Sequence, residues 1–237
     1  MSDVTLGYIK TYIKGLDEQI NGGIPIGHVV LICGYAGSMK SSFAYNVAYH
    51  YVKDGNGRAL YLSLEQSRDS IIKQMNKMGM DITELGERMS ILDVGWMRKE
   101  LKSSNEMNIN WMESIKTQLK NYKEFTSYDL LIIDSLDALY SMASLDNTRS
   151  ALFFFFESLR ELDTTTLLIT EMDPDRKSFG KYGIESFLAD GIIHLDFERV
   201  GRSLGRFISI VKMRAVKHST DYYSLIVDQD GFKVVTR

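Results

Sequence analysis

From Gly34 to Ser42 the chain reads Gly-Tyr-Ala-Gly-Ser-Met-Lys-Ser-Ser, a spacing able to hold a row of phosphates. Glycines such as Gly34 and Gly37 let backbone N–H groups curl toward an anion, and a helix starting behind them adds its positive dipole end. Ser38, Met39 and Ser42 complete such a cradle. Lys40 would reach the β- and γ-phosphates, and the Ser41 hydroxyl would ligate Mg2+. Met39 stands where the pattern GxxxxGKS/T has its last glycine. A side chain fits there under right-handed helical angles and is costly if φ is positive. The plainer alternative is a glycine-bearing turn between strand and helix with an exposed lysine.

Two carboxylates extend the pattern. Asp134 follows the apolar run Leu130-Leu-Ile-Ile133, and Glu65 follows Leu60-Tyr-Leu-Ser-Leu64. Asp134 would hold a water on a metal bound by the loop, and Glu65 would orient or deprotonate the water attacking a γ-phosphate. Each has a bland reading, a strand-ending acid beside a turn for Asp134 and a helix-dipole partner for Glu65. Together they put an anion cradle, a metal carboxylate and a base at strand carboxyl ends, where open α/β sheets bind ligands.

The elements that must position these residues follow from hydrophobic period. Strand-length runs occur at His28–Cys33, Ala59–Leu64, Ser90–Val94, Leu130–Ile133 and Thr166–Thr170. Helical spacing occupies Lys40–Val52, a segment capped by Ser67 with Ile71, Ile72, Met75 and Met78 on its apolar face, Trp111–Tyr122, and Asn147–Leu162. After Asp190 the runs Gly191–Phe197, Arg206–Met213, Tyr222–Val227 and Phe232–Val235 follow one another without helices. The expected fold class is α/β: a mostly parallel central sheet with helices on both faces and a C-terminal antiparallel meander. With no repeat and no linker, residues 1–237 read as one domain.

Composition narrows the classes. The 237 residues carry 28 Lys plus Arg against 31 Asp plus Glu, net −3, which excludes a polycation built to coat nucleic acid. One cysteine, Cys33, excludes an internal disulfide and a Cys-rich zinc site, and the four histidines have no shared metal spacing. No apolar run approaches bilayer length, and the first residues lack a signal peptide's apolar stretch, so no membrane insertion and a cytoplasmic place are expected.

At this point the sequence resembles the KaiC-like branch of the RecA-type ATPases, from about Thr11 to Val235. The resemblance rests on Ile13-Lys-Gly-Leu-Asp17, Gly22-Gly-Ile-Pro-Ile-Gly27, the phosphate loop, Asp134-Ser135, Thr170-Glu171, Gly183-Ile-Glu-Ser-Phe-Leu-Ala-Asp-Gly191 and Lys212-Met-Arg-Ala-Val-Lys-His218. It implies a RecA-like P-loop NTPase core that binds ATP and Mg2+, hydrolyses ATP, and assembles as a homo-oligomeric ring, a hexamer. It implies that Glu171 senses the γ-phosphate. It also implies that Lys212 and Arg214 reach the nucleotide of a neighbouring subunit, with His218 as an accessory contact. Where the family commonly has two glutamates this chain has Glu65-Gln66. The resemblance does not extend to a circadian role or to autokinase activity.

Two other functions stay open. Met39 and the single glutamate suit a module that holds ATP with negligible hydrolysis. The segment from Asp173 to Tyr182, with Arg176, Lys177 and Lys181, would suit single-stranded DNA in a recombinase paralogue, although Asp173 and Asp175 dilute its charge. The run Phe153–Phe156 could form a subunit contact, but on a helix it is expected to split between the sheet-facing core and a neighbouring element.

Overall fold

The computed structural model describes residues 7–95, 110–143, 147–172, 175, 178–228 and 231–235. Its strands are Tyr8–Ile9 (β1), Ile24–Pro25 (β2), Val29–Gly34 (β3), Ala59–Ser63 (β4), Met89–Asp93 (β5), Leu130–Asp134 (β6), Thr165–Glu171 (β7), Gly191–Val200 (β8), Ser203–Met213 (β9), Tyr223–Asp228 (β10) and Gly231–Val235 (β11). Its helices are Lys40–Lys53 (α1), Arg68–Asn76 (α2), Trp111–Thr126 (α3), Leu136–Met142 (α4), Thr148–Arg160 (α5) and Glu185–Leu188 (α6).

Every residue of β3, β4 and β6 is buried, which is why these strands read as unbroken apolar runs rather than alternating ones. Among the described residues nine strands form one sheet, ordered β11-β10-β9-β8-β3-β7-β6-β4-β5. Pairing is parallel from β5 through β8 and antiparallel at β8–β9, β9–β10 and β10–β11. The fold is thus α/β, with a mostly parallel sheet and antiparallel C-terminal strands. The C-terminal meander β8–β11 is antiparallel as expected, and its first strand, β8, joins the central sheet parallel to β3.

Helix α1 runs along one face against β3, β4, β6 and β7. Phe43, Ala44, Val47, Ala48 and Val52 enter a core shared with Ile9, Ile13, Leu16 and Ile20 of the amino-terminal segment. On the other face Ile115 and Leu119 of α3, Leu136 and Leu139 of α4, and Leu152, Phe155 and Leu159 of α5 cover Leu31, Leu131, Ile133 and Leu168. Each fully buried aliphatic side chain contributes about 1.5–3 kcal/mol. Local capping sets the helix starts. Ser67, Asn110, Ser135 and Asn147 each accept a backbone N–H of their helix's first turn.

Two helices were not anticipated from the sequence. Helix α4 spans only seven residues, and α6 is a single turn, so neither offers a full hydrophobic period. The Phe153–Phe156 run divides: Phe155 and Phe156 are buried, whereas Phe153 and Phe154 are exposed. Four consecutive helical positions span 300°, more than a core-facing stripe can hide. No described helix is long and apolar enough to cross a membrane.

Candidate functional site

The turn after β3 is shaped by close approach. A side chain at Gly34 would collide with the Leu195 carbonyl oxygen, and Gly37 sits at φ 86°. The Ser38 N–H donates to the Tyr35 carbonyl at 3.1 Å, closing the loop, and the Met39 carbonyl accepts the first α1 bond from Phe43 N–H at 2.9 Å. The Ser38 hydroxyl is buried and has no hydrogen-bond partner among the described residues.

Lys40, 8% exposed, folds back so that Nζ donates to the carbonyls of Gly34 and Tyr35, each at 2.9 Å. Burial lowers its pKa, against Glu171, which favours the ammonium most, and Asp134 and Asp137, which also favour it. A buried cation curled under a loop of N–H groups is poised to exchange two carbonyl partners for an anion.

Met39 has φ 75° and ψ 25°, so the left-handed conformation that the sequence left undecided is the one adopted. A side chain there costs about 1–2 kcal/mol, and packing of Met39 against the α1-face core offsets part of it. Met39→Gly exchanges strain for lost packing and is expected to unfold in urea within about 1 kcal/mol of the unmodified protein. Met39→Val, β-branched, should fall about 1–2 kcal/mol below Met39→Gly. Equal stabilities for the two variants would contradict the assigned backbone.

At the carboxyl ends of β4 and β6 the acids gather. Ser63 and Asp134 are register partners, and Tyr61, two residues lower on β4, donates its hydroxyl to Asp134 Oδ2 at 2.5 Å. The Ser41 hydroxyl also favours the ionised Asp134 carboxylate. Burial raises the Asp134 pKa, and the Tyr61 and Ser41 hydroxyls act against that rise. Glu65 is exposed, and its Oε1 accepts a hydrogen bond from Ser135 Oγ at 2.5 Å. Glu171 ends β7 with an exposed side chain, and its N–H donates to Asp137 Oδ2 at 2.7 Å.

The donors at Ser41 and Asp134 are hard oxygens, the type Mg2+ takes. Among the described residues no group of three or more His, Cys, Asp or Glu could hold a metal by itself. A cation here would therefore complete its shell with phosphate and water oxygens, as Mg2+ does when it carries a nucleotide.

The basic pair lies at the other end of the sheet. Lys212 faces Ile192 and Met213 faces Gly191, which in turn pairs with Val30 at the amino end of β3. The glycine loop begins four residues further along β3, about 13 Å away. Lys212 Nζ donates to the carbonyls of Ser186, at 3.0 Å, and Ala189, at 2.6 Å, capping the end of α6. The Arg214 guanidinium donates to Asp190 Oδ1 at 2.8 Å and to the Phe187 carbonyl at 3.2 Å. Asp190 also accepts from Val29 N–H and Arg160. Burial pushes its pKa up, but these donors outweigh it and hold the carboxyl below its ordinary value. His218 Nδ1 lies 3.0 Å from the Ser219 carbonyl. Lys40, Ser41, Glu65, Asp134 and Glu171 thus share one end of the sheet, and Lys212 and Arg214 the opposite one.

A family model described as "ATPase: KaiC" matches residues 9–237. The chain belongs to the KaiC ATPase family. It is 28% identical over 233 residues to the circadian clock oscillator protein KaiC of Rippkaea orientalis, covering 95% of this chain and 43% of that protein. The chain therefore spans less than half the length of that relative. It is also 28% identical to an archaeal UPF0273 protein of Methanocaldococcus jannaschii, with 95% of each chain covered. A crystal structure of a KaiC-like protein from Pyrococcus horikoshii superposes with TM-score 0.84 at 26% identity, covering 98% of this chain and all of that one.

In this KaiC-family chain two residues at the site escaped sequence reading. Asp137 follows Asp134 within one turn, and that proximity was a usable signal. Tyr61 gave none, because its partner lies 73 positions away. Of the basic loop weighed for DNA, Asp173, Pro174, Arg176 and Lys177 lie outside the described residues, while Lys181 Nζ stands 5.7 Å from the Tyr182 ring centroid.

Proposed function

We propose that this KaiC-family chain acts as one unit over residues 1–237 and binds ATP with Mg2+ at the carboxyl ends of β3, β4 and β6. It hydrolyses the γ-phosphate bond and works as a homo-oligomeric ring, a hexamer. The observation that carries this reading is the convergence of buried Lys40 and Asp134 with half-buried Ser41 at one glycine-shaped loop. Ser41 and the Asp134 carboxylate would hold Mg2+, which supplies positive charge against the phosphate oxygens.

Lys40 would leave the Gly34 and Tyr35 carbonyls for the β- and γ-phosphates, and the loop N–H groups would bind the bridging oxygens. Glu65 would orient the attacking water in line with the γ-phosphorus and take its proton as the bond to ADP breaks. The Ser135 hydroxyl on Oε1 fixes that carboxylate and leaves Oε2 for the water. Glu171, close enough to Lys40 to favour its charge, would report the γ-phosphate. Lys212 and Arg214 lie too far from their own loop, which supports delivery to a neighbour's nucleotide in a head-to-tail ring, with His218 beside them. A cytoplasmic place suits the free, buried Cys33.

A second reading, ATP held with negligible turnover, draws on two specifics: the left-handed Met39 and Gln66 beside Glu65. Particle mass by light scattering with and without Mg-ATP, paired with phosphate release on the same sample, decides between them. Glu65→Gln is expected to retain ATP and to release phosphate about 10²–10⁴-fold more slowly. ATP retention with no release by the unmodified protein would hand the site to the second reading. Absence of ATP binding would remove both.

A further inference from the structure

Tyr61 stands on β4 directly beside Ile132 of β6, so Asp134 lies two residues, about 7 Å, further along the same face. A tyrosine spans that interval, and its hydroxyl meets Asp134 Oδ2. The ring is fully buried, wedged against Tyr45 with centroids 5.8 Å apart, and it cannot swing out to find water. The Ser41 hydroxyl favours the charged form of both members of the pair. The three side chains therefore gather where the start of α1 meets the ends of β4 and β6.

We propose that Tyr61 is a positioning residue for the metal carboxylate, an inference that rests on the nucleotide-and-metal reading above. When Ser41 turns its oxygen to a divalent cation it abandons Asp134. Without another donor the buried carboxylate would lose its orientation at that moment. Tyr61 would keep hold of Oδ2 and leave Oδ1 free to serve the cation. Groups that orient a metal's ligands typically change its affinity by about 10–100-fold when removed. The phosphate loop amides and Lys40 do not depend on this contact, so metal-free nucleotide binding is insulated from it.

The test uses the full chain with ADP and Mn2+ as probes. Mn2+ affinity is read by electron paramagnetic resonance at saturating ADP, and ADP affinity is read separately in EDTA. Tyr61→Phe keeps the ring and the fold, to be checked by its melting curve. It is expected to raise the Mn2+ dissociation constant about tenfold while ADP affinity in EDTA stays within about twofold. In an Asp134→Ala background the same change should leave Mn2+ affinity unaltered, since the carboxylate it serves is gone. A tyrosine that merely packs would leave Mn2+ affinity unmoved, or would shift ADP affinity in EDTA equally; either result overturns the proposal. Should Mn2+ bind no more tightly with ADP present in the unmodified protein, the metal-nucleotide reading fails, and this inference with it. A firm Mn2+–ADP complex indifferent to Tyr61→Phe sinks this inference alone.

Discussion

Lys40→Ala protein should give no heat on titration with Mg-ATP and no upward shift in melting temperature. The ammonium would make two charge-assisted contacts to phosphate, each worth about 1.5–3 kcal/mol, so affinity should fall about 10²–10⁴-fold. For the unmodified protein, ATP at about 100 times its dissociation constant adds about 2.7 kcal/mol of stability, or about 5–10 °C for a chain of this size. For the variant at the same concentration that gain nearly vanishes. The apo protein should respond differently. Folding lowers the Lys40 pKa through burial, so the folded chain releases this proton more readily than the unfolded one. The sign follows: below the folded-state pKa the charged lysine opposes folding, and this penalty fades as pH rises through that value. The unmodified apo protein should therefore gain stability as pH rises through the lysine's folded-state pKa, and Lys40→Ala should lack that gain. Retained ATP binding by the variant would overturn the nucleotide assignment.

That pairing of strain and function separates what the sequence could disclose from what it could not. The buried strands β3 and β6 announced themselves because both faces are covered, leaving uninterrupted apolar runs. The glycine loop between β3 and α1 was visible because glycine spacing is local. Whether Met39 adopts positive φ was not, since that angle is decided by how Gly34 presses on Leu195 and how α1 docks on the sheet. The parallel pairing of β8 escaped for a related reason: a strand's content does not name its neighbour, and only a single turn of helix precedes it. Tyr61 reads as one more aromatic in a strand until the register of β4 against β6 brings Asp134 above it. The Lys212 and Arg214 segment was conspicuous in sequence, yet its distance from the phosphate loop emerges only through two successive strand registers, β9 on β8 and β8 on β3.

That distance supplies the second large effect. If Arg214 acts on a neighbour's nucleotide, Arg214→Ala rings should lose about 10³–10⁵ in phosphate release while each subunit still binds ATP through its own loop. Asp190 keeps Arg160 and the Val29 N–H as partners, so the variant should stay folded. The decisive experiment mixes two inactive proteins, Lys40→Ala and Arg214→Ala, under conditions where subunits exchange. A Lys40→Ala subunit still offers Arg214, and an Arg214→Ala subunit still offers Lys40. Where the second presents its loop to the first, an intact site is restored. With random assortment about a quarter of interfaces qualify, so activity should return to about a quarter of the unmodified level from nearly nothing. An arginine acting within its own subunit predicts no recovery at any mixing ratio, because no chain in the mixture carries both residues. Recovery establishes delivery of Arg214 across a subunit interface; a two-fold dimer would also restore one site in each mixed pair, so particle mass separates it from the head-to-tail ring.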